Sequence, residues 1–258
     1  AEFCMTPKLI DATEIAAREQ VILDAALEYI RTEGIGSLTV DKVVARVPYS
    51  KGTVYNHFIS REDMLTGLCN HCVSTLYELF MEAVNFEGNS REKLLSLCIA
   101  YMLHAQAEPT RFMLLVTAKT PSMHEKASQA RLDEHERLDT QLMTLFCGQI
   151  QAGIEAGELQ LAEPMTVQRV AFSLWSMSFG TIALLQSHLE RCTVRSMMEL
   201  ERELLTHLNL VMDGLNWQPR SCEQDWQAVA QACKSRVMPL IGELKLKEDT
   251  STENEQSD

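Results

Sequence analysis

Apolar residues recur at three- and four-residue intervals through most of this chain, and the strict alternation expected of strands is almost absent. Ile22, Ala25, Ala26, Tyr29 and Ile30 form one stripe, which predicts a helix over about 12–32 that Gly34 and Gly36 stop. Thr39 has the side chain of a good N-cap, and Val40, Val43, Val44 and Val47 follow at helical spacing. Pro48 ends that helix, because the residue before a proline is pushed out of the α region. Ser50 opens a third helix through about His57, with Val54 and Phe58 on its inner side. Ser60 and Asp63 resemble a capping box with Asp in place of Glu. They open a long helix with a stripe of Leu65, Leu68, Cys72, Leu76 and Leu79.

The rest also reads as helix. Ser90 is expected to cap a helix to about Ala107, and Pro109 separates it from the next. Pro121 opens a broken or bent stretch through Glu155, which Gly157 ends. Two long segments follow, 165–188 and 193–215. After Trp217, Ser221 can cap a helix in which Trp226, Val229, Ala230 and Cys233 face the bundle, reaching about Met238 before Pro239. The expected class is all-α. A three-helix helix-turn-helix domain at 1–59 precedes a larger helical bundle at 60–247. The acidic tail at 248–258 is expected to be disordered. Ala1 to Cys4, before Met5, read as an expression scar.

The third helix carries the chemistry. At 100° per residue Gly52 and Asn56 lie opposite Val54 and Phe58, flanked by Thr53 and Tyr55. Glycine inside a helix costs roughly 1 kcal/mol relative to alanine. It makes sense where another molecule must approach the backbone. The helix N-terminus suits a phosphate, and Lys51 and Arg61 add positive charge at either end. A short capped helix alone favours a plain surface helix; the order helix, short helix, turn, short helix shifts the balance to a DNA reader.

At this point the chain resembles the TetR family of one-component transcriptional regulators. The matching residues are Ile22-Leu23-x-Ala25-Ala26, Glu33-Gly34, Thr39-Val40, Ser50-Lys51-Gly52-Thr53-Val54-Tyr55-x-His57-Phe58 and Glu62-x-x-Leu65, within about 15–70. The turn departs from the family pattern: Val47-Pro48-Tyr49 replaces small–Gly–aliphatic, and Tyr49 either packs on the first helix, the favoured reading, or contacts phosphate. The resemblance implies phosphate contacts for Thr39, Tyr55, His57 and Arg61, and a groove-facing set of Lys51, Gly52, Thr53 and Asn56 behind the Ser50 cap. Lys51 and Asn56 are the obvious base readers.

Charge narrows how DNA could be bound. The chain carries −13, yet residues 1–61 hold seven Lys/Arg against eight Asp/Glu. Between positions 39 and 61, Lys42, Arg46, Lys51 and Arg61 outweigh Asp41. A local patch on an acidic body fits a specific regulator and opposes indiscriminate coating of DNA.

In the segment 193–215, Met197, Leu200, Leu204, Val211 and Leu215 make one stripe. Met198, Leu205, Leu208 and Met212 make a second. A helix apolar on two faces is either core or shared with a partner. In the family the corresponding helices form a four-helix dimer interface, which assigns Met197, Leu200, Leu204, Leu208, Val211 and Leu215 to it. Tyr101, His104, Phe112, Met113, Phe146, Trp175 and Phe179 are either core or the lining of a pocket for a small, mostly apolar effector.

Other chemistries find little support. Cys69-Asn70-His71-Cys72 has CxxC spacing with no second pair, so no metal and no cofactor is expected, and the cysteines read as small buried hydrophobes. Asp133, Glu134, Glu136 and Asp139 around His135, interleaved with Arg131 and Arg137, read as a solvated helix face. No phosphate loop, dinucleotide fingerprint or nucleophile elbow occurs, so no enzyme is expected. The apolar stretch 172–185 is too short and serine-rich to span a membrane, and a cytoplasmic location is expected. The resemblance therefore implies a dimeric, ligand-responsive repressor that binds a pseudo-palindromic double-stranded operator and leaves it when the effector binds. The alternatives are a cysteine-based redox regulator and a helical dimeric interaction module that does not read DNA.

Overall fold

A computed structural model describes residues 11–117, 120–186 and 192–253, with backbone alone at 124 and 244–253. Among the described residues there are helices and no strands. The head contains α1 (Ala12–Glu33), a 3-10 turn (Ile35–Ser37), α2 (Val40–Val44) and α3 (Lys51–His57). The body contains α4 (Arg61–Val84), α5 (Ser90–Ala107), α6 (Pro109–Thr117), α7 (Pro121–Lys126), α8 (Gln129–Glu155), α9 (Val167–Leu185), α10 (Leu200–Gly214) and α11 (Trp226–Glu253).

The expected caps at the head close as hydrogen bonds. Thr39 Oγ1 accepts from Lys42 N at 3.3 Å, and Ser50 Oγ from Thr53 N at 3.1 Å. Ser60 Oγ accepts from Asp63 N at 2.9 Å and donates to Lys126 O at 2.7 Å. The Asp63 carboxylate accepts from Ile59 N at 3.1 Å and from Ser128 N and Oγ at 2.9 and 2.7 Å. The break between α7 and α8 is thus docked on the start of α4.

Three expectations are corrected. Asn89, not Ser90, caps α5, through a reciprocal box with Glu92. Ser90 is the first residue of that helix, and its hydroxyl instead donates to Glu158 and accepts from Trp217 Nε1. The last bundle helix starts at Leu200 rather than 193, and Met197 lies in the turn before it. The final helix does not stop before Pro239 but runs to Glu253, so 248–253 are helical and 254–258 lie outside the described residues. Proline removes one backbone bond and crowds the preceding turn, but Val237 and Ile241, one turn apart, are buried on either side of it and hold the helix against the bundle.

The core is continuous from head to body. α4 runs through its centre against α5, α8 and α11. Trp226, Val229, Ala230 and Cys233 form the buried stripe of α11 that the spacing predicts. Beneath it lies Arg91, whose guanidinium donates to Trp217 O at 2.5 Å, Asn209 Oδ1 at 2.8 Å and Asp213 Oδ1 at 2.7 Å, with the Trp226 ring 4.7 Å away. Burial lowers the pKa of Arg91, partly offset by its bond to Asp213.

Candidate nucleic-acid interface and effector cavity

Val54 and Phe58 are fully buried and fix α3 to the head, which turns Lys51, Gly52, Tyr55 and Asn56 outward. Thr53, half-buried, shares a 2.8 Å bond with the Ser50 hydroxyl. A Cβ added at Gly52 would meet only Ser50 Oγ, at 3.9 Å. Neither packing nor backbone conformation inside the protein demands glycine there.

Lys51 and Tyr55 meet on one carboxylate. Lys51 Nζ lies 2.8 Å from Asp41 Oδ1, and the Tyr55 hydroxyl donates to the same oxygen at 3.1 Å. Hydrogen bonds from Lys51 and Tyr55 hold Asp41 below the usual carboxylate range, and the same bond raises Lys51. Asp41 therefore pre-positions both groups, and both must leave it to reach a phosphate or a base.

Two of the expected contact residues face elsewhere. Arg61 donates to Leu38 O at 3.0 Å and Ile35 O at 2.8 Å, tying the 3-10 turn to α4. His57 is nearly covered, with Nδ1 3.4 Å from Glu19 Oε2. Their donors serve the head's own architecture, which spacing alone does not reveal. Tyr49 packs as expected, half-buried beneath the Arg18 guanidinium at 5.6 Å.

The body encloses a cavity of ≈ 40 Å³ between α4, α5, α6, α8 and α9. Tyr101, Phe146, Trp175 and Phe179 line it, as the sequence suggests. Phe112 lies behind this layer, 5.7 Å from Tyr101 and 5.8 Å from Phe179, and does not line it. His104 is buried away from the cavity, and Met113 is 52% exposed on α6. Burial pushes the Tyr101 phenol well above its ordinary pKa, against a hydrogen bond with Trp175.

Sequence reasoning missed His135 and Asp139. Both line the cavity, and His135 is buried rather than part of a solvated face. His135, Asp139, Leu142 and Phe146 share one side of α8 at three- and four-residue spacing. That stripe was available in the sequence, but two polar members disguised it.

The expected partner-facing set also divides. Leu204 and Leu208 are 0% exposed within the single chain, so they are core. Leu200, Val211 and Leu215 are half-buried. The exposed apolar groups on these helices are instead Phe172 and Leu184 of α9, each 60% exposed, and Leu210 of α10 at 66%. Phe172, Ser176, Gly180 and Leu184 fall on one stripe of α9.

Among the described residues no group of three or more His, Cys, Asp or Glu could hold a metal ion. None of the described helices is long and apolar enough to cross a membrane. Burial pushes the Cys98 thiol up to about 12, and raises Cys147 and Cys233 in the same sense.

Comparison with known proteins agrees with this geometry. Residues 22–68 match the family described as bacterial regulatory proteins, tetR family. The fatty acid metabolism regulator protein of Bacillus subtilis (strain 168) is 24% identical over 164 residues, covering 62% of this chain and 77% of that protein. A tetR-family regulatory protein from Rhodococcus RHA1 shares the fold at 18% identity, with a TM-score of 0.57 over 78% of this chain and 97% of that one. The fatty acid degradation regulator of Bacillus halodurans does so at 15% identity, with a TM-score of 0.57 over 78% and 97%. The matched segment spans the second half of α1 through the start of α4, so the head is similar to that of the tetR-family regulators, and the all-helical body behind it shares their fold.

Proposed function

We propose that this regulator is a repressor that binds a pseudo-palindromic operator as a homodimer and releases it when a small, mostly apolar molecule enters the body. The observation that carries the DNA half is Gly52. It sits in the first turn of an exposed helix, costs helix stability, and has no internal reason to be glycine. Close approach of another backbone, a base or a phosphate accounts for it. Lys51, Thr53, Tyr55 and Asn56 surround it with donors, and Thr39 and Ser50 expose two helix N-termini.

The dimer follows from the apolar stripe on α9 and from DNA geometry. Two heads about 34–36 Å apart would meet successive major grooves. Covering Phe172, Leu184 and Leu210 with a second copy removes the largest exposed apolar groups of α9 and α10 from water.

The effector half rests on the cavity. Five of its twelve lining residues are aromatic, which favours an apolar guest. Two relatives carry names that refer to fatty acid metabolism or degradation, and an acyl chain is a guest of that kind. Asp139 is the one carboxylate in the lining. The enclosed space is small, so the bundle must open to admit such a molecule. Burial raises Cys98, Cys147 and Cys233, which disfavours a redox switch at those three thiols, since the thiolate is the reactive form.

The decisive experiment selects DNA from a random pool with the purified protein and measures affinity by gel shift. Tyr55→Phe should weaken all selected sequences alike, whereas Asn56→Ala should change the preferred base at one position. If neither variant alters binding, α3 is not the reader.

A further inference from the structure

The cavity and the reading helix are joined by one side chain from α8. The Arg131 guanidinium reaches into the angle between head and body. Nη1 lies 3.0 Å from Glu19 Oε1 of α1, and Nη2 donates to His57 O, at the last residue of α3, at 3.1 Å. Nε lies 3.5 Å from Asp63 Oδ1 at the start of α4, and Cζ sits 4.4 Å over the Phe58 ring, the residue that ends α3. Three elements thus converge on one planar cation whose fork fixes direction as well as charge.

The approach is close. A Cβ at Gly67 would lie 3.0 Å from Arg131 Nη1 and 3.1 Å from the Phe58 ring, so this glycine makes the room that the guanidinium occupies. Beside it lies an open cleft of ≈ 600 Å³, lined by Glu19, His57, Asn70, Arg131 and others. Head and body are therefore not packed solid against each other here, and the guanidinium spans part of the gap.

The backbone end of the same residue leads to the cavity. Asn70 Nδ2 donates to Arg131 O at 3.0 Å, and His135 Nδ1 lies 2.9 Å from Asn70 Oδ1. Because the Asn70 amide nitrogen is already donating, its oxygen accepts, and His135 Nδ1 carries the proton. His135 is a wall of the cavity, as are Asp139, Leu142, Met143 and Phe146 on the same helix. Any guest that shifts the cavity face of α8 moves the first turn of that helix too, because a packed helix transmits displacement along its axis.

We infer that Arg131 is a positioning residue that sets the angle of α3 according to the state of the cavity. This rests on the reading of α3 as the DNA reader, but the test is built so that the two can fail separately. The body's state is communicated when α8 carries the guanidinium toward or away from His57 O and Glu19. Loss of that contact frees α3 at its C-terminal end, where Phe58 and the following turn join it to α4.

The test needs no identified effector, because the cavity can be filled by mutation. Leu142→Phe adds volume to the lining, with Val73→Ile, which adds a single methylene, as a gentler second variant should the first fold poorly. A change in Trp175 fluorescence verifies that the lining has been altered. Hydrogen exchange on the full chain then reads the amides of 51–57. Filling should change their exchange by at least about threefold in the otherwise wild-type protein. Arg131→Gln should abolish that response, and Arg131→Lys should restore part of it by returning charge to Glu19 and Asp63 without the bond to His57 O. A merely structural arginine would lower the melting temperature while leaving the response to filling intact. An unchanged response in Arg131→Gln, or none in the wild-type background despite altered Trp175 fluorescence, overturns the proposal. If exchange behaves as expected but no DNA sequence is bound, the reader assignment fails and the role of Arg131 stands.

Discussion

The outward face of α3 and the cavity beside α8 are built from opposite kinds of contact. Around α3 the decisive bonds are local: Ser50 to Thr53 and Lys51 to Asp41 span three and ten positions, and the face ends in solvent. Around the cavity the walls come from five helices between positions 73 and 179, and His135 on α8 is buried among them. The bonds that shape the first region lie within the head, and only its C-terminal end meets the body, at Arg131 of α8. The second exists only while five helices keep their packing. A regulator needs both: a surface stiff enough to match DNA, and an interior soft enough to change when a guest arrives.

Breaking the interior should have the largest effect. Arg91→Ala leaves Asp213 and the Trp217 carbonyl without their buried partner, and should lower unfolding free energy by about 3 kcal/mol in urea. A loss below 1 kcal/mol would show that this network is dispensable to the body. The apolar face of the body comes next. Leu210→Glu or Phe172→Glu should give folded monomers by light scattering and weaken operator binding by at least about a hundredfold, roughly 2.7 kcal/mol, since one head alone remains. Leu204→Glu should instead unfold the chain, because Leu204 is core. Folded dimers from either exposed substitution would place the interface elsewhere.

The reading face is then tested by small changes. Asn56→Ala should cost about 1–3 kcal/mol at a single base position and little elsewhere, as measured on a panel of single-base operator variants. Gly52→Ala should separate fold from function. Thermal unfolding should show a gain of about 0.5–1 kcal/mol, while operator affinity falls about tenfold as the new methyl group occupies the close approach. A variant that is more stable and binds DNA normally would remove the argument from Gly52.

How much was legible follows the same division. Thr39, Ser50 and Ser60 were readable as caps because a cap is decided within four residues of chain. At Ser90 the same rule misassigned the cap by one position: Asn89 and Glu92 make the box, and Ser90 is drawn into the distant Trp217 and Glu158. Arg61 and His57 had suitable groups at suitable positions, yet their donors were taken up by carbonyls and a carboxylate from other elements. Pro239 was read as a stop because proline weakens a helix locally, and burial of Val237 and Ile241 overrode it.

The sequence by itself determined the helical class, the order of elements, the outward set on α3 and the apolar stripe of α11. Each depends on periodicity, capping or a single turn of helix. Only the tertiary structure decided that Leu204 and Leu208 are core while Phe172 and Leu210 are exposed, that His135 and Asp139 belong to a cavity, and that Arg131 bridges α8 to Glu19 and His57. A stripe states that a helix has an apolar face, but not which neighbour covers it; that depends on how α4, α5, α8, α9, α10 and α11 share a limited buried volume.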